Sequence, residues 1–259
     1  MADGLRVEVD GAVALLTLDR AEALNALTVP LKAALLTTLE RIAADRTVRV
    51  VVLTGAGRAF CAGQDLAERE QPDAAPLDVE LRERYNPIVR ALRSMGQPVI
   101  AAVNGVAAGA GASLAFACDL RIAAADARFV LAFGRIGLVP DSGATWFLPR
   151  LVGSARAAEL ALIGDPVSAD EALRIGLVHR VVPGESLMAE ARALADRLAA
   201  SAPGALAMTK AALELSWSLE LDAALDEEAR LQGIAGASAD HAEGLAAFRE
   251  KRPPRFTGE

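Results

Sequence analysis

Alternating apolar and polar positions open the chain and indicate a β-hairpin. The alternating segments are Leu5 to Val9 and Val13 to Leu18, and Asp10-Gly11 between them suits a tight turn. The apolar period then lengthens to that of a helix from Thr28 to Ala44, with Thr28 as N-cap and Pro30 in the first turn. The core-facing positions of this helix are Leu31, Leu35, Leu39 and Ile42. The opening therefore predicts two strands and an amphipathic helix.

Short apolar runs and helical segments then alternate along the chain. Val48 to Leu53 is continuous and apolar, as expected of a buried strand. The polar stretch from Gln71 to Asp78 contains proline and predicts a mobile surface loop, followed by a helix from Val79 to Arg93. Further strands are predicted at Leu120 to Ala123 and Phe129 to Leu131, and a further helix at Gly143 to Leu151. This order predicts an α/β fold with largely parallel strands.

The last third of the sequence is predicted to be helical. Four helical patterns follow one another at Glu185 to Ala200, Gly204 to Trp217, Leu219 to Ala235 and Ala239 to Lys251. We therefore divide the chain into a core over residues 1–200 and a C-terminal helical region over residues 201–259. Its many Leu and Ala positions predict packing against other subunits, with packing onto the chain's own core as the alternative.

Composition narrows the classes of function. The 259 residues carry a formal net charge of −7, which argues against nucleic-acid and membrane partners, because these favour a basic surface. Cys61 and Cys118 are the only cysteines and predict a reducing, cytoplasmic location without disulfides. The two histidines, His179 and His241, lack neighbours at ligand spacing, so we expect no metal site.

The segment from Pro98 to Asp119 carries the strongest functional pattern. A Val/Ile/Ala run meets a turn containing Gly105, Gly109 and Gly111 and then opens into a helix of small residues. Backbone N–H groups at such a junction are accessible to a ligand, and the helix dipole favours a negative charge there. A membrane span is the first alternative, but the glycines and Pro98 argue against it, and neither a dinucleotide-binding motif nor a Walker loop is complete.

A second glycine-alanine turn, from Gly57 to Leu66, follows the strand that ends at Leu53. Two N–H groups converging on one oxygen would stabilise an enolate or a tetrahedral oxyanion, each contributing roughly 10²–10³ in rate. The sequence therefore predicts an oxyanion hole, with the N–H groups of Ala62 and Ala110 as its donors.

These motifs resemble the enoyl-CoA hydratase/isomerase, or crotonase, superfamily over nearly the whole chain. The matching segments include Gly57 to Leu66, Ala102 to Asp119, Gly137 to Thr145 and Ala169 to Val178. The resemblance implies a crotonase-like ββα spiral core with a C-terminal helical region, and acyl-CoA thioester substrates. It also implies homotrimers or dimers of trimers. Coenzyme A would enter as part of the substrate, and no separate cofactor is expected.

The sequence departs from the family's hydratases at two positions. Where those enzymes carry two glutamates that act on water, this chain has Ser113 and Phe133. Isomerase branches of the family keep an aspartate where Asp141 stands, so we expect an isomerase that shifts a double bond or rearranges an epoxide with Asp141 as its only acid/base group. Burial would raise the pKa of Asp141 toward a useful range. The alternative role for Asp141 is to cap the helix near Gly143.

Two other functions stay open: a hydratase with atypical acid/base residues, and a non-catalytic protein that binds CoA esters. Asp65 is also expected to cap the helix beginning at Leu66, and Ser113 to bond a backbone carbonyl. The predicted substrate and CoA contacts, several of them implied by the resemblance, are Arg20, Leu24, Ala62, Gly63, Gln64, Asp65, Leu66, Gly109, Phe133, Phe248 and Lys251.

Overall fold

Two sheets organise the chain in the computed structural model, which describes residues 4–259. One sheet has six strands in the order β1-β2-β3-β5-β7-β10, and the other has four in the order β4-β6-β8-β9. All neighbours pair in parallel except β1 with β2 and β8 with β9. The strands are β1 Leu5–Asp10, β2 Val13–Leu18, β3 Val50–Gly55, β4 Ala59–Cys61, β5 Val99–Val103, β6 Val106–Ala108, β7 Leu120–Ala124, β8 Arg128–Val130, β9 Val167–Ser168 and β10 Arg180–Val182. The predicted hairpin and the largely parallel α/β fold are confirmed.

Helices connect the strands and form most of the chain after β10. The predicted N-cap of α1 is confirmed, since the Thr28 side chain accepts the Leu31 N–H at 3.3 Å. The helices are α1 Val29–Ala44, α2 Leu66–Arg69, α3 Leu77–Glu80, α4 Asn86–Ser94, α5 Ala110–Ala117, α6 Ala144–Ile163, α7 Ala169–Arg174, α8 Leu187–Ala199, α9 Pro203–Leu215, α10 Leu221–Gly236 and α11 Ala239–Glu250. The four predicted C-terminal helices correspond to α8, α9, α10 and α11.

Two details of the prediction are wrong. The single helix expected over 79–93 consists of three pieces: α3, a π-helical turn at Leu81–Tyr85, and α4. Pro87 lies in the first turn of α4 and has no N–H, so the helical hydrogen bonds cannot run without interruption through this segment. Strands β4 and β6 occupy segments that were predicted to be turns. Each has only three residues, which is too short to display alternation.

The pairing of β4 with β6 positions the functional site. The two strands are parallel, with Ala59 opposite Val106 and Cys61 opposite Ala107. Their carboxyl ends therefore lie side by side, and the segments that follow them, residues 62–64 and 109–110, meet at one place. The two glycine-rich turns of the sequence are neighbours for this reason.

The apolar stretch from 94 to 118 forms β5, β6 and α5 inside the protein. Every residue of β5 and α5 is buried. In the part of the chain that the structure describes, no helix combines the length and the apolar character of a membrane span. Helix α8 packs on β2, β3, β5 and β7, whereas α10 packs on α9 and α11. The division near residue 200 and the oligomerisation role of the last helices stay predictions.

Candidate active site

A cavity of about 390 Å³ lies where the segments after β4 and β6 meet. We call the lining residues of these two segments the backbone wall; the rest of the lining is mostly apolar. Besides Gln64, four polar residues line the cavity. The backbone wall consists of Ala62, Gly63, Gln64, Ala108, Gly109 and Ala110, the apolar residues include Leu66, Leu77, Leu81, Val130, Phe133, Ile136 and Leu138, and the four polar residues are Arg69, Glu80, Tyr85 and Asp141. An apolar cavity with a few convergent polar groups is typical of a small-molecule site.

The close approach of the two backbone segments requires glycine at position 63. Gly63 has φ +89°, and a Cβ atom there would lie 2.8 Å from the Ala108 carbonyl oxygen and 3.3 Å from the Ala110 nitrogen. Both neighbours are backbone atoms, which cannot rotate away. The amide of Ala110 is therefore held directly beside the loop that contains Gln64.

The two available amides in this wall belong to Gln64 and Ala110. The N–H of Ala62 donates to the Leu24 carbonyl at 3.0 Å, so the prediction that Ala62 supplies the first donor is wrong. Two residues later, the Gln64 N–H donates to no acceptor within residues 4–259, because Leu27 pairs with the flanking Gly63 carbonyl and Asp65 N–H. Ala110 is the first residue of α5, where N–H groups have no partner in the helix, and it finds none elsewhere in the described chain.

Asp141 is partly buried and lines the same cavity. Burial raises the pKa of this carboxyl, and the Ser142 hydroxyl, which donates to Asp141 Oδ1 at 2.9 Å, opposes that rise. The capping alternative is wrong: α6 has Gly143 as its N-cap and no side-chain hydrogen bond there. The carboxylate is therefore not used by the helix.

Comparison with known proteins identifies the family. The model of the enoyl-CoA hydratase/isomerase family matches residues 8–259. The chain belongs to this family. A probable enoyl-CoA hydratase of Rhodobacter capsulatus is 48% identical over 98% of both chains, and the 1,2-epoxyphenylacetyl-CoA isomerase of Escherichia coli is 45% identical over the full length of both. The crystal structure of an enoyl-CoA hydratase from Bacillus anthracis superimposes with a TM-score of 0.96 at 36% identity, covering 99% of this chain and 100% of that one. The predicted crotonase-like fold is confirmed.

Positions 113 and 133, where the family's hydratases are expected to carry glutamates, hold residues with other roles in this chain. The Ser113 hydroxyl lies 3.2 Å from the Gly109 carbonyl and 3.0 Å from the Asp141 carbonyl, which confirms its predicted structural role. Phe133 contributes an aromatic ring to the cavity. Glu80 also reaches the cavity, but it forms ion pairs with both Lys32 and Arg84. Among residues 4–259, Asp141 is thus the only cavity-lining carboxylate without a cationic partner.

The residues predicted to contact the substrate or CoA divide into those that line the cavity and those that do not. Ala62, Gly63, Gln64, Leu66, Gly109 and Phe133 line it, whereas Arg20, Leu24, Asp65, Phe248 and Lys251 do not. Arg20 and Asp65 form an ion pair at 2.8 Å beside the loop of Gln64, and Asp65 also caps α2 by accepting the Ala67 N–H at 3.0 Å, as predicted. Phe248, which is 84% exposed, and Lys251 stand at the end of α11 and do not line the cavity. Within one chain these two residues are not brought to the site, so a CoA contact from them stays a prediction.

Sequence reasoning missed the contribution of the segment from Leu77 to Tyr85. Its side chains Leu77, Glu80, Leu81 and Tyr85 line the cavity. The sequence feature that could have indicated it is Tyr85, the only tyrosine of the chain, which lies among charged residues in a segment predicted to be helical. Cys61 lies next to the site as an inert residue, since burial raises the pKa of its thiol to about 12.

Proposed function

We propose that this protein is an acyl-CoA isomerase. The Gln64 and Ala110 N–H groups polarise the thioester carbonyl, and Asp141 carries a proton between two carbons of the acyl group. The observation that carries the proposal is that, within residues 4–259, one cavity holds a carboxylate without a cationic partner and two amides without acceptors, with Ser113 and Phe133 where the family's hydratases carry glutamates. Hydration by two carboxylates lacks its second acid/base group, because Glu80, the other carboxylate that lines the cavity among residues 4–259, is held in ion pairs with Lys32 and Arg84.

The proposed reaction has two steps. Asp141 removes a proton from the acyl chain, and the electron pair of that C–H bond moves toward the thioester, so that negative charge develops on its oxygen. The two amides stabilise this enolate, which is the role of an oxyanion hole. Asp141 then returns the proton at another carbon, and the double bond has moved with no net change in composition.

The epoxide of an aromatic acyl-CoA is the substrate type that we favour. The 45% identity with the 1,2-epoxyphenylacetyl-CoA isomerase supports it, as do the rings of Phe133 and Tyr85 at the cavity. For such a substrate, the same groups would assist ring expansion to an oxepin, in which the C–C bond shared by the epoxide and the six-membered ring breaks and both C–O bonds are kept. Hydration is the second candidate, supported by the 48% identity with a probable enoyl-CoA hydratase.

We also propose that copies of the chain associate as trimers or dimers of trimers. Large apolar side chains on the last three helices are exposed, which supports burial of these helices by other subunits. These side chains include Leu213, Leu221, Leu225, Ile234 and Phe248.

Absorbance of the conjugated enoyl thioester tests the proposed activity. The protein is mixed separately with crotonyl-CoA, with a 3-enoyl-CoA and with ring-1,2-epoxyphenylacetyl-CoA, and the D141N variant is the control. We expect absorbance to rise with the 3-enoyl ester or an oxepin thioester to form from the epoxide. In D141N both rates should fall by about 10²–10⁴-fold while CoA-ester binding persists. Loss of absorbance with crotonyl-CoA alone would establish hydration instead, and binding of all three esters without change would establish a non-catalytic protein.

A further inference from the structure

Tyr85 connects the π-helical turn to the loop of the proposed oxyanion hole. Its side chain is buried, with 1% of the residue exposed, and its hydroxyl donates to Gln64 Oε1 at 2.6 Å. Gln64 is also the residue whose main-chain N–H is free and faces no acceptor in the described chain. One residue thus carries both the proposed oxyanion donor and the acceptor of the tyrosine hydroxyl.

A buried ionic cluster fixes Tyr85 from its other side. The Lys32 ammonium on α1 lies 4.6 Å from the centroid of the Tyr85 ring and forms an ion pair with Glu80. Glu80 also pairs with Arg84, one residue before the tyrosine. The side chains of Lys32 and Glu80 are 0% and 3% exposed, so loss of either partner would leave a buried charge. The ring of Tyr85 therefore has a defined place between α1 and the cavity.

Two contacts hold the loop of Gln64. Leu27 bonds to the Gly63 carbonyl and to the Asp65 N–H, and because the Gly63 carbonyl and the Gln64 N–H belong to one planar peptide, the first of these bonds orients the whole peptide. The Gln64 N–H itself meets no acceptor within residues 4–259. The side-chain bond to Tyr85 is the second contact, and it restricts movement of the Gln64 main chain within the loop.

We propose that Tyr85 is a positioning residue: its hydroxyl holds the Gln64 side chain and, together with the Leu27 bonds, keeps the Gln64 main-chain N–H at the place where it meets the thioester oxygen. This rests on the proposed function, because it assumes that this amide polarises the thioester. Tyr85 itself does not transfer the proton, since burial raises the pKa of its hydroxyl beyond its ordinary value and nearby carboxylates raise it further.

The test combines three variants with a spectrum that does not require turnover. Y85F removes the hydroxyl, Q64M removes its acceptor but keeps the main-chain N–H, and the double variant removes both. T54V is the matched control, because the buried Thr54 hydroxyl donates to the Ala102 carbonyl at 2.8 Å, outside the cavity. Each protein is saturated with a conjugated aryl-acrylyl-CoA, whose absorbance band moves to longer wavelength when its carbonyl oxygen is polarised. Melting temperature and kcat for the 3-enoyl or epoxide substrate are measured in parallel.

We expect Y85F and Q64M to lose most of the red shift and about 10- to 100-fold in kcat, with KM little changed, because a misplaced donor costs less than a missing one. The double variant should be no worse than either single one. T54V should melt lower and keep the full red shift. A full red shift and wild-type kcat in Y85F, or losses that multiply in the double variant, would overturn the positioning role.

The two proposals fail differently in this experiment. If the wild-type protein shifts the band but turns over none of the substrates, the proposed isomerase activity fails, and the red shift of the variants still decides the role of Tyr85. If the wild-type protein binds the thioester without any red shift, no amide polarises the carbonyl and the positioning role is overturned.

Discussion

Replacement of Gly63 by alanine tests whether the contact between the two backbone segments sets the oxyanion hole. The added Cβ would lie 2.8 Å from the Ala108 carbonyl oxygen and 3.3 Å from the Ala110 nitrogen. To reach ordinary van der Waals separation, the segments after β4 and β6 must move apart by about half an ångström or more. The N–H groups of Gln64 and Ala110 would move apart with them.

The expected cost has two parts. A non-glycine residue at φ +89° is strained by about 1–2 kcal/mol, and overpacking against backbone costs about 1–3 kcal/mol. For a chain of this length, the resulting destabilisation of roughly 2–5 kcal/mol lowers the melting temperature by about 4–20 °C. Because a displaced donor no longer fits the developing oxyanion, kcat should fall by about 10²-fold.

The matched control is G176A. Gly176 has a similar φ of +81°, but a Cβ there would meet only the Leu151 carbonyl at 3.5 Å, and the residue does not line the cavity. Thermal melting and isomerase kinetics are measured for both variants at a temperature where both are folded. G176A should lose about 1–2 kcal/mol of stability and keep wild-type kcat. If folded G63A also keeps wild-type kcat, or loses no more activity than G176A, the separation of these amides does not control catalysis.

Three further predictions concern charge. The reaction needs ionised Asp141, and burial raises the pKa of this carboxyl, so kcat/KM should rise with pH through a midpoint above that of an ordinary aspartate. S142A removes the hydrogen bond that opposes this rise and should move the midpoint higher. If the midpoint is the same in both proteins, it belongs to another group. Because the native-state pKa of Asp141 is raised, its contribution to native stability is fully present below its unfolded-state pKa and is lost as pH rises through the native-state pKa. D141N should therefore unfold at a higher urea concentration than the wild type at neutral pH, while its isomerase rate falls by about 10²–10⁴-fold. A D141N protein less stable than the wild type would contradict the argument from burial. K32M should lower the free energy of unfolding by about 3 kcal/mol. This is the low end for a broken buried ion pair, because Arg84 still neutralises Glu80. If K32M leaves urea unfolding unchanged, the pair contributes little to stability.

The spacing of apolar residues was sufficient to predict the hairpin and α1, which are long elements of this fold. The hairpin and α1 are long enough for their apolar positions to show the period, and Thr28 marks the start of α1 chemically. The three-residue strands β4 and β6 are too short for this, although they place the site. Their existence depends on pairing between segments about 47 residues apart, which local sequence does not report.

The candidate site was predicted in part for the same reason. The family resemblance indicated Asp141 and the start of the helix indicated Ala110, and both line the cavity. The choice of Ala62 over Gln64 was wrong because the direction of each N–H depends on tertiary partners, here Leu24 and Leu27. Tyr85 enters the site only because the π-helical turn packs beside the loop of Gln64.

The most direct test of the mechanism is a crystal structure of D141N with a bound 3-enoyl-CoA. We predict that the thioester oxygen lies about 2.7–3.1 Å from the main-chain nitrogens of both Gln64 and Ala110, with the side chain at position 141 facing the acyl carbons that exchange the proton. An oxygen bonded instead to the Ala62 N–H, or a residue 141 turned away from the acyl chain, would contradict it.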